Sequence, residues 1–128
     1  MNLKDLEAAG GYVPPEPVAK EIEWTHFDKE KGEDVTDKFT VYVRRQSFGD
    51  TEQLFAKPPE GEQYHALAAT YISKSLLFGE AKDEVMTYEQ AYQLDPTLGR
   101  LFVKAINEVN AELRKPKNSP PPTSSGTN

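Results

Sequence analysis

In Phe39-Thr40-Val41-Tyr42-Val43-Arg44, apolar Phe39, Val41 and Val43 alternate with Thr40, Tyr42 and Arg44. Alternation at period two marks a strand with one buried face, because successive side chains leave a strand on opposite sides. Upstream, Val18, Ile22 and Trp24 fall in one phase with Lys20 and His26, giving a second strand to about Phe27. Between them lies Asp28-Lys29-Glu30-Lys31-Gly32-Glu33-Asp34, polar and containing a glycine, as a long hairpin loop should be. Two strands alone are marginal in water and need a covering layer.

The segments that follow supply that layer as helices. From Glu60 to about Phe78, residues Tyr64, Leu67, Ala68, Tyr71, Ile72, Ser75 and Leu76 recur at three- and four-residue steps. That spacing predicts an amphipathic helix, with Gly79 at its C-cap. Asp95-Pro96 opens another helix, since Asp is a good N-cap and Pro is pre-shaped for the first helical position. Leu98, Leu101, Phe102, Ala105, Ile106, Val109 and Leu113 line one face of it, and Lys115-Pro116 ends it. Two capping-box spacings predict shorter helices, one from Asp50-Thr51-Glu52-Gln53 to Ala56 and one from Thr87-Tyr88-Glu89-Gln90 through Leu94.

The flanks are less structured. Leu3 and Leu6 share a face of a possible helical turn that Gly10-Gly11 ends, and Pro14-Pro15-Glu16-Pro17 enforces extended backbone. Residues 117–128 are rich in Ser, Pro, Thr and Gly and hold no large apolar side chain, so they are expected to be disordered. The expected organisation is an arm over 1–17, one domain over 18–114 and a Pro/Ser-rich tail over 115–128. The fold class is α+β: an N-terminal antiparallel β-hairpin packed against a small set of C-terminal α-helices.

Composition narrows the function classes. The chain has 128 residues, a one-domain length, and no cysteine, which removes disulfides and thiolate metal sites. Fifteen Lys and Arg against 21 Asp and Glu give a net charge of −6. The basic residues are scattered, with one tight pair at Arg44-Arg45 and one loose cluster at Arg114, Lys115 and Lys117, so the chain offers little of the clustered charge that nucleic-acid binding needs. The N-terminus carries acids and lacks an apolar run, unlike a signal peptide. The longest apolar-biased stretch, Ala66 to Phe78, contains Thr70, Ser73, Lys74 and Ser75 and is too short to cross a bilayer. A soluble protein with neither nucleic-acid nor membrane partners is expected.

The search for chemistry finds no catalytic constellation. His26 and His65 are the two histidines, and neither sits in a metal-binding spacing. There is no nucleophile elbow and no phosphate-cradling glycine loop. The run Glu30 to Asp34 lacks the ligand series of a calcium loop, and Glu80, Asp83 and Glu84 read as exposed loop residues. No cofactor, metal or catalytic residue is therefore expected. The aromatic residues carry a different message, since Tyr and Trp are enriched at protein interfaces as well as in cores. Trp24, Tyr42, Tyr64, Tyr71 and Phe102 are the candidate partner-binding residues.

Taken in order, these features resemble a known family. The opening Leu3-Lys4-Asp5-Leu6-Glu7-Ala8-Ala9-Gly10-Gly11-Tyr12-Val13 and the strand ending Val41-Tyr42-Val43-Arg44-Arg45-Gln46-Ser47-Phe48 are similar to the start of phage tail assembly chaperones. So are Ala69-Thr70-Tyr71-Ile72-Ser73, Leu77-Phe78-Gly79-Glu80, Tyr88-Glu89-Gln90-Ala91 and the closing Leu98 to Asn110, together spanning about residues 1–113. The resemblance implies a non-enzymatic protein of the host cytoplasm, absent from the finished virion. It also implies binding of the tape measure protein and recruitment of the tail tube protein around it. Many such proteins have a longer form made by a programmed frameshift, and residues 115–128 lie where that shift would occur. Helix-in-groove binding suits a long helical client, and self-association would add multivalency. On this reading, helices 60–78 and 97–113 form the core and leave part of their apolar surface for partners. The competing expectation is a structural tail-completion or head–tail joining protein of the virion.

Overall fold

Strand formation begins with two eleven-residue segments, β1 (Val18–Asp28) and β2 (Glu33–Val43), which pair antiparallel from Val18 opposite Val43 to Asp28 opposite Glu33. The structure, a computed structural model, describes residues 1–54, 56 and 66–114, and of residues 112–114 the backbone alone. Even-numbered residues of β1 and odd-numbered residues of β2 face inward, so Ile22, Val41 and Val43 are buried while Glu21, Glu23 and Thr40 face outward. The ribbon is longer than the sequence pattern indicated. Residues 28–34 form no long loop: both strands continue to a tight turn over 29–32. Asp28 makes the turn possible by accepting the backbone N–H groups of Glu30 and Lys31 on Oδ1. Gly32, at φ +67°, takes the left-handed conformation that closes it.

The helices follow in chain order: α1 (Leu3–Ala8), α2 (Phe48–Leu54), α3 (Leu67–Ser75), α4 (Tyr88–Tyr92) and α5 (Pro96–Arg114). Four N-termini are fixed by local side chains. Asn2 and Asp5 form a reciprocal capping box on α1. Thr87 and Gln90 form a reciprocal capping box on α4, as expected from the sequence. Asp95 Oδ2 accepts the N–H groups of Thr97 and Leu98 at the start of α5. At α2 the box lies one turn earlier than the sequence reading placed it, with Ser47 and Asp50 exchanging backbone-to-side-chain bonds, so the helix starts at Phe48.

The largest departure concerns the expected helix over 60–78. Residues 57–65, including Tyr64 and His65, lie outside the described residues. The helix that is described ends at Ser75, and Leu76–Phe78 is a strand, β3, followed by β4 (Glu84–Val85). Among the described residues the strands form one antiparallel sheet in the order β1-β2-β3-β4. β3 pairs through Val43 opposite Leu76 and Tyr42 opposite Leu77, and Arg44 N–H donates to Ser75 O at 2.8 Å to extend that seam. The apolar period of Leu76, Leu77 and Phe78 suits a helix or a strand, and the open edge of β2 decides between them. Gly79 is accordingly no helix cap. At φ +85° it opens the β3–β4 turn, which closes with Lys82 N–H donating to Gly79 O.

One core joins the sheet to the helices. Ile22, Val41, Val43 and Leu76 meet Ile72 of α3 and Phe102, Ala105, Ile106 and Val109 of α5. Phe102 stands edge-on to both Phe39 and Phe78, with ring centroids 6.3 and 5.8 Å away. Lys20 of β1 reaches Glu108 of α5 at 3.3 Å, a half-exposed ion pair of modest worth.

Candidate functional site

Between α3, α5, α2 and the N-terminal arm lies a groove of 760 Å³. Its walls are mainly apolar: Leu67 and Ala68 from α3, Val103 and Ala111 from α5, Leu54 from α2 and Val13 from the arm. Helix spacing explains the set. Val103, Asn107, Asn110 and Ala111 recur at three- and four-residue steps along a stripe beside the buried stripe of Phe102, Ile106 and Val109. The core stripe turns inward, and its neighbour is left to line the groove.

The polar residues of the groove are fixed by one another. Tyr71 O–H donates to Asn107 Oδ1 at 3.0 Å and accepts from Asn110 Nδ2 at 3.1 Å. Asn110 Oδ1 accepts the backbone N–H of Gln46 at 3.3 Å, and Gln46 Nε2 donates to Ser75 Oγ at 2.7 Å. Ser75 is fully buried, so this chain of bonds ties the groove to the core. Preset walls and restrained amides leave an apolar surface with a few polar groups held in fixed orientation, the usual character of a binding site.

The five sequence candidates do not converge. Tyr71 lies in the groove. Trp24 is on the inner face of the hairpin, half-buried, stacked on His26 at 3.9 Å, while His26 Nε2 is 2.7 Å from Asp37 Oδ2. Tyr42 is half-buried at the β2–β3 seam, with the Lys82 ammonium 5.0 Å above its ring. Phe102 is 2% exposed and belongs to the core, because a phenylalanine at the centre of a helix–sheet contact is drawn into it. Tyr64 lies outside the described residues. Gln46, Leu54, Val103, Asn107 and Asn110 were not singled out from the sequence. The offset stripe on α5 was the legible signal for Val103, Asn107 and Asn110, and Gln46 and Leu54 had none.

Beside the groove, Gln46 also borders a polar cleft of 370 Å³ that contains Arg44, Asp50 and Lys74. The Asp50 carboxyl is held below its ordinary value of 3.8, chiefly by the hydrogen bond from the backbone N–H of Ser47. Desolvation opposes that bond as the next largest effect, and the Ser47 hydroxyl and the charges of Arg44 and Lys74 each add a smaller lowering. Among the described residues, no group of three or more His, Asp or Glu side chains is placed to hold a metal ion, and no helix is long and apolar enough to cross a membrane.

An α+β domain with an open apolar groove between helices, edged by fixed amides, is built like a polypeptide-binding protein. The chain belongs to the phage tail assembly chaperone family, whose model matches residues 4–110. That span takes in the hairpin and nearly all of the groove. Comparison with curated proteins and with solved structures returned no match.

Proposed function

We propose that this chain holds the tape measure protein during tail assembly and helps bring the tail tube protein to it, acting by binding and without transforming a substrate. The groove between α3 and α5 carries the reading. Six apolar side chains line it, and they come from four separate segments of the chain. A tape measure protein is expected to be long, helical and apolar along one side, and such a helix lays its stripe into a groove of this kind. Family membership supplies the assembly context. Weak contacts repeated along one client would gain from several copies acting together. The protein would work in the host cytoplasm and leave before the virion is complete, with or without a longer frameshifted form.

Co-expression with the tape measure protein tests the proposal. The wild-type chain should raise the client's soluble fraction. Ala68→Glu should abolish that gain while leaving the fold intact, because Ala68 is an exposed groove residue and a charge there disfavours an apolar stripe. Client solubility indifferent to both proteins would defeat the reading, as would stoichiometric recovery of the chain from purified particles.

A further inference from the structure

Gln46 stands as a partition between two depressions. On one side is the apolar groove. On the other is the cleft of 370 Å³, which contains Arg44, Asp50 and Lys74, with Ser73 and Gln53 on its walls. Arg44 follows β2 and Lys74 lies in the last turn of α3. The 2.8 Å bond from Arg44 N–H to Ser75 O stitches those two chain segments together and brings both cations to one place.

Both cations are exposed, and neither makes a salt bridge among the described residues. Among the described residues Asp50 supplies the one carboxylate lining the cleft, which leaves one positive charge there uncompensated by them, on a chain of net charge −6. The Asp50 carboxylate is held chiefly by the Ser47 backbone N–H, and Arg44 and Lys74 add a smaller attraction to it, so both cations act on an anion at this spot without being spent on it.

We propose that the site takes an amphipathic helical segment of a partner whose apolar stripe is flanked by carboxylates, the stripe seated in the groove and the acids reaching Arg44 and Lys74 across Gln46. The inference rests on the groove being a polypeptide-binding site. An apolar groove alone accepts any amphipathic helix, whereas a charged margin discriminates by repelling a stripe flanked by lysines. One or two side-chain carboxylates match the two cations. A polyanion does not, since it needs many cations and meets a net negative chain.

The test uses the full chain and three synthetic helical peptides with one Leu/Ala stripe, flanked by Glu, by Gln or by Lys. By fluorescence anisotropy at low salt, the Glu-flanked peptide should bind roughly threefold to tenfold more tightly than the Gln-flanked one, as one or two exposed ion pairs allow. The Lys-flanked peptide should bind most weakly. In about 1 M salt, where screening acts within roughly 3 Å, the differences should collapse. They should also collapse in the Arg44→Gln/Lys74→Gln double variant, whose exposed substitutions leave the core untouched. A preference for Glu that survives the double variant overturns the assignment to these cations. Equal affinity for all three peptides, weakened by the neutral groove substitution Ala68→Gln, overturns the acidic preference and leaves the groove reading standing. Absence of binding by every peptide, or binding indifferent to Ala68→Gln, overturns both.

Discussion

Gln46 is a single residue with three duties: its backbone N–H holds Asn110, its side chain holds Ser75, and its body separates groove from cleft. Removing a partner from such a chain leaves a half-buried polar group without a bond, which costs more than the bond itself contributes. Ser75→Ala is therefore expected to destabilise the fold by about 1–2 kcal/mol in chemical denaturation, since it strands the Gln46 amide. Tyr71→Phe keeps the ring and drops two hydrogen bonds, for a loss of roughly 1 kcal/mol. A neutral result for both would mean that water replaces the network without penalty. At Asp50 the sign follows from its lowered pKa. The stabilisation is fully present above pH 3.8 and is lost as pH falls through the lower folded-state value. NMR titration should place the Asp50 midpoint below 3.8, and fraying of α2 should accompany protonation. A midpoint above 3.8 would contradict the Ser47 geometry. The effect on global stability is small, because the carboxyl faces water.

At the scale of elements, the telling event is the change from α3 to β3 between Ser75 and Leu76. The residues on either side carry one apolar pattern, and the backbone switches to φ −101°, ψ 141° where β2 offers an unpaired edge. Pairing with Val43 buries Leu76 to 1% exposure, which a continued helix would not reproduce at that position. The turn that follows depends on a glycine: Gly79→Ala places a Cβ in the left-handed region and should cost about 1–2 kcal/mol. Part of the added crowding falls on the flexible Glu84 carboxylate, 2.8 Å from the new carbon, which can swing aside. Thr87→Ala removes the reciprocal cap of α4 and should cost about 1 kcal/mol. Thermal melts of the two variants and of their combination check both values, and the two effects should add, because the sites share no hydrogen bond.

Across the whole molecule the core and the groove are separable. Phe102 links the sheet to α5 through Phe39 and Phe78, so Phe102→Ala should cost about 3–5 kcal/mol and weaken every activity by unfolding. Ala68→Glu should leave the melting temperature near that of the wild type and remove client binding alone. The far end of the hairpin, beyond Trp24, lies outside the buried core, and Phe27 is 60% exposed. Amide exchange should therefore be fastest around residues 27–34 and slowest at Val41 and Val43. Uniform protection along the ribbon would show that something further covers its tip.

The inward phase of β1 and β2, the apolar face of α5, the caps of α4 and α5 and the mixed α+β class were legible in the sequence, because each rests on periods or bonds spanning a few neighbouring residues. The family resemblance was legible for the same reason, as an ordered set of local segments. Three things were settled by tertiary structure. Leu76–Phe78 became a strand because a distant strand edge was free. Phe102 went into the core because two other rings surround it. The groove exists because Val13, Gln46, Leu54, Ala68 and Val103, far apart in the chain, are brought to one place. A sequence read by its own periods shows which face of an element is apolar. Which apolar residues are buried and which are left open to a partner depends on what the rest of the chain places against them.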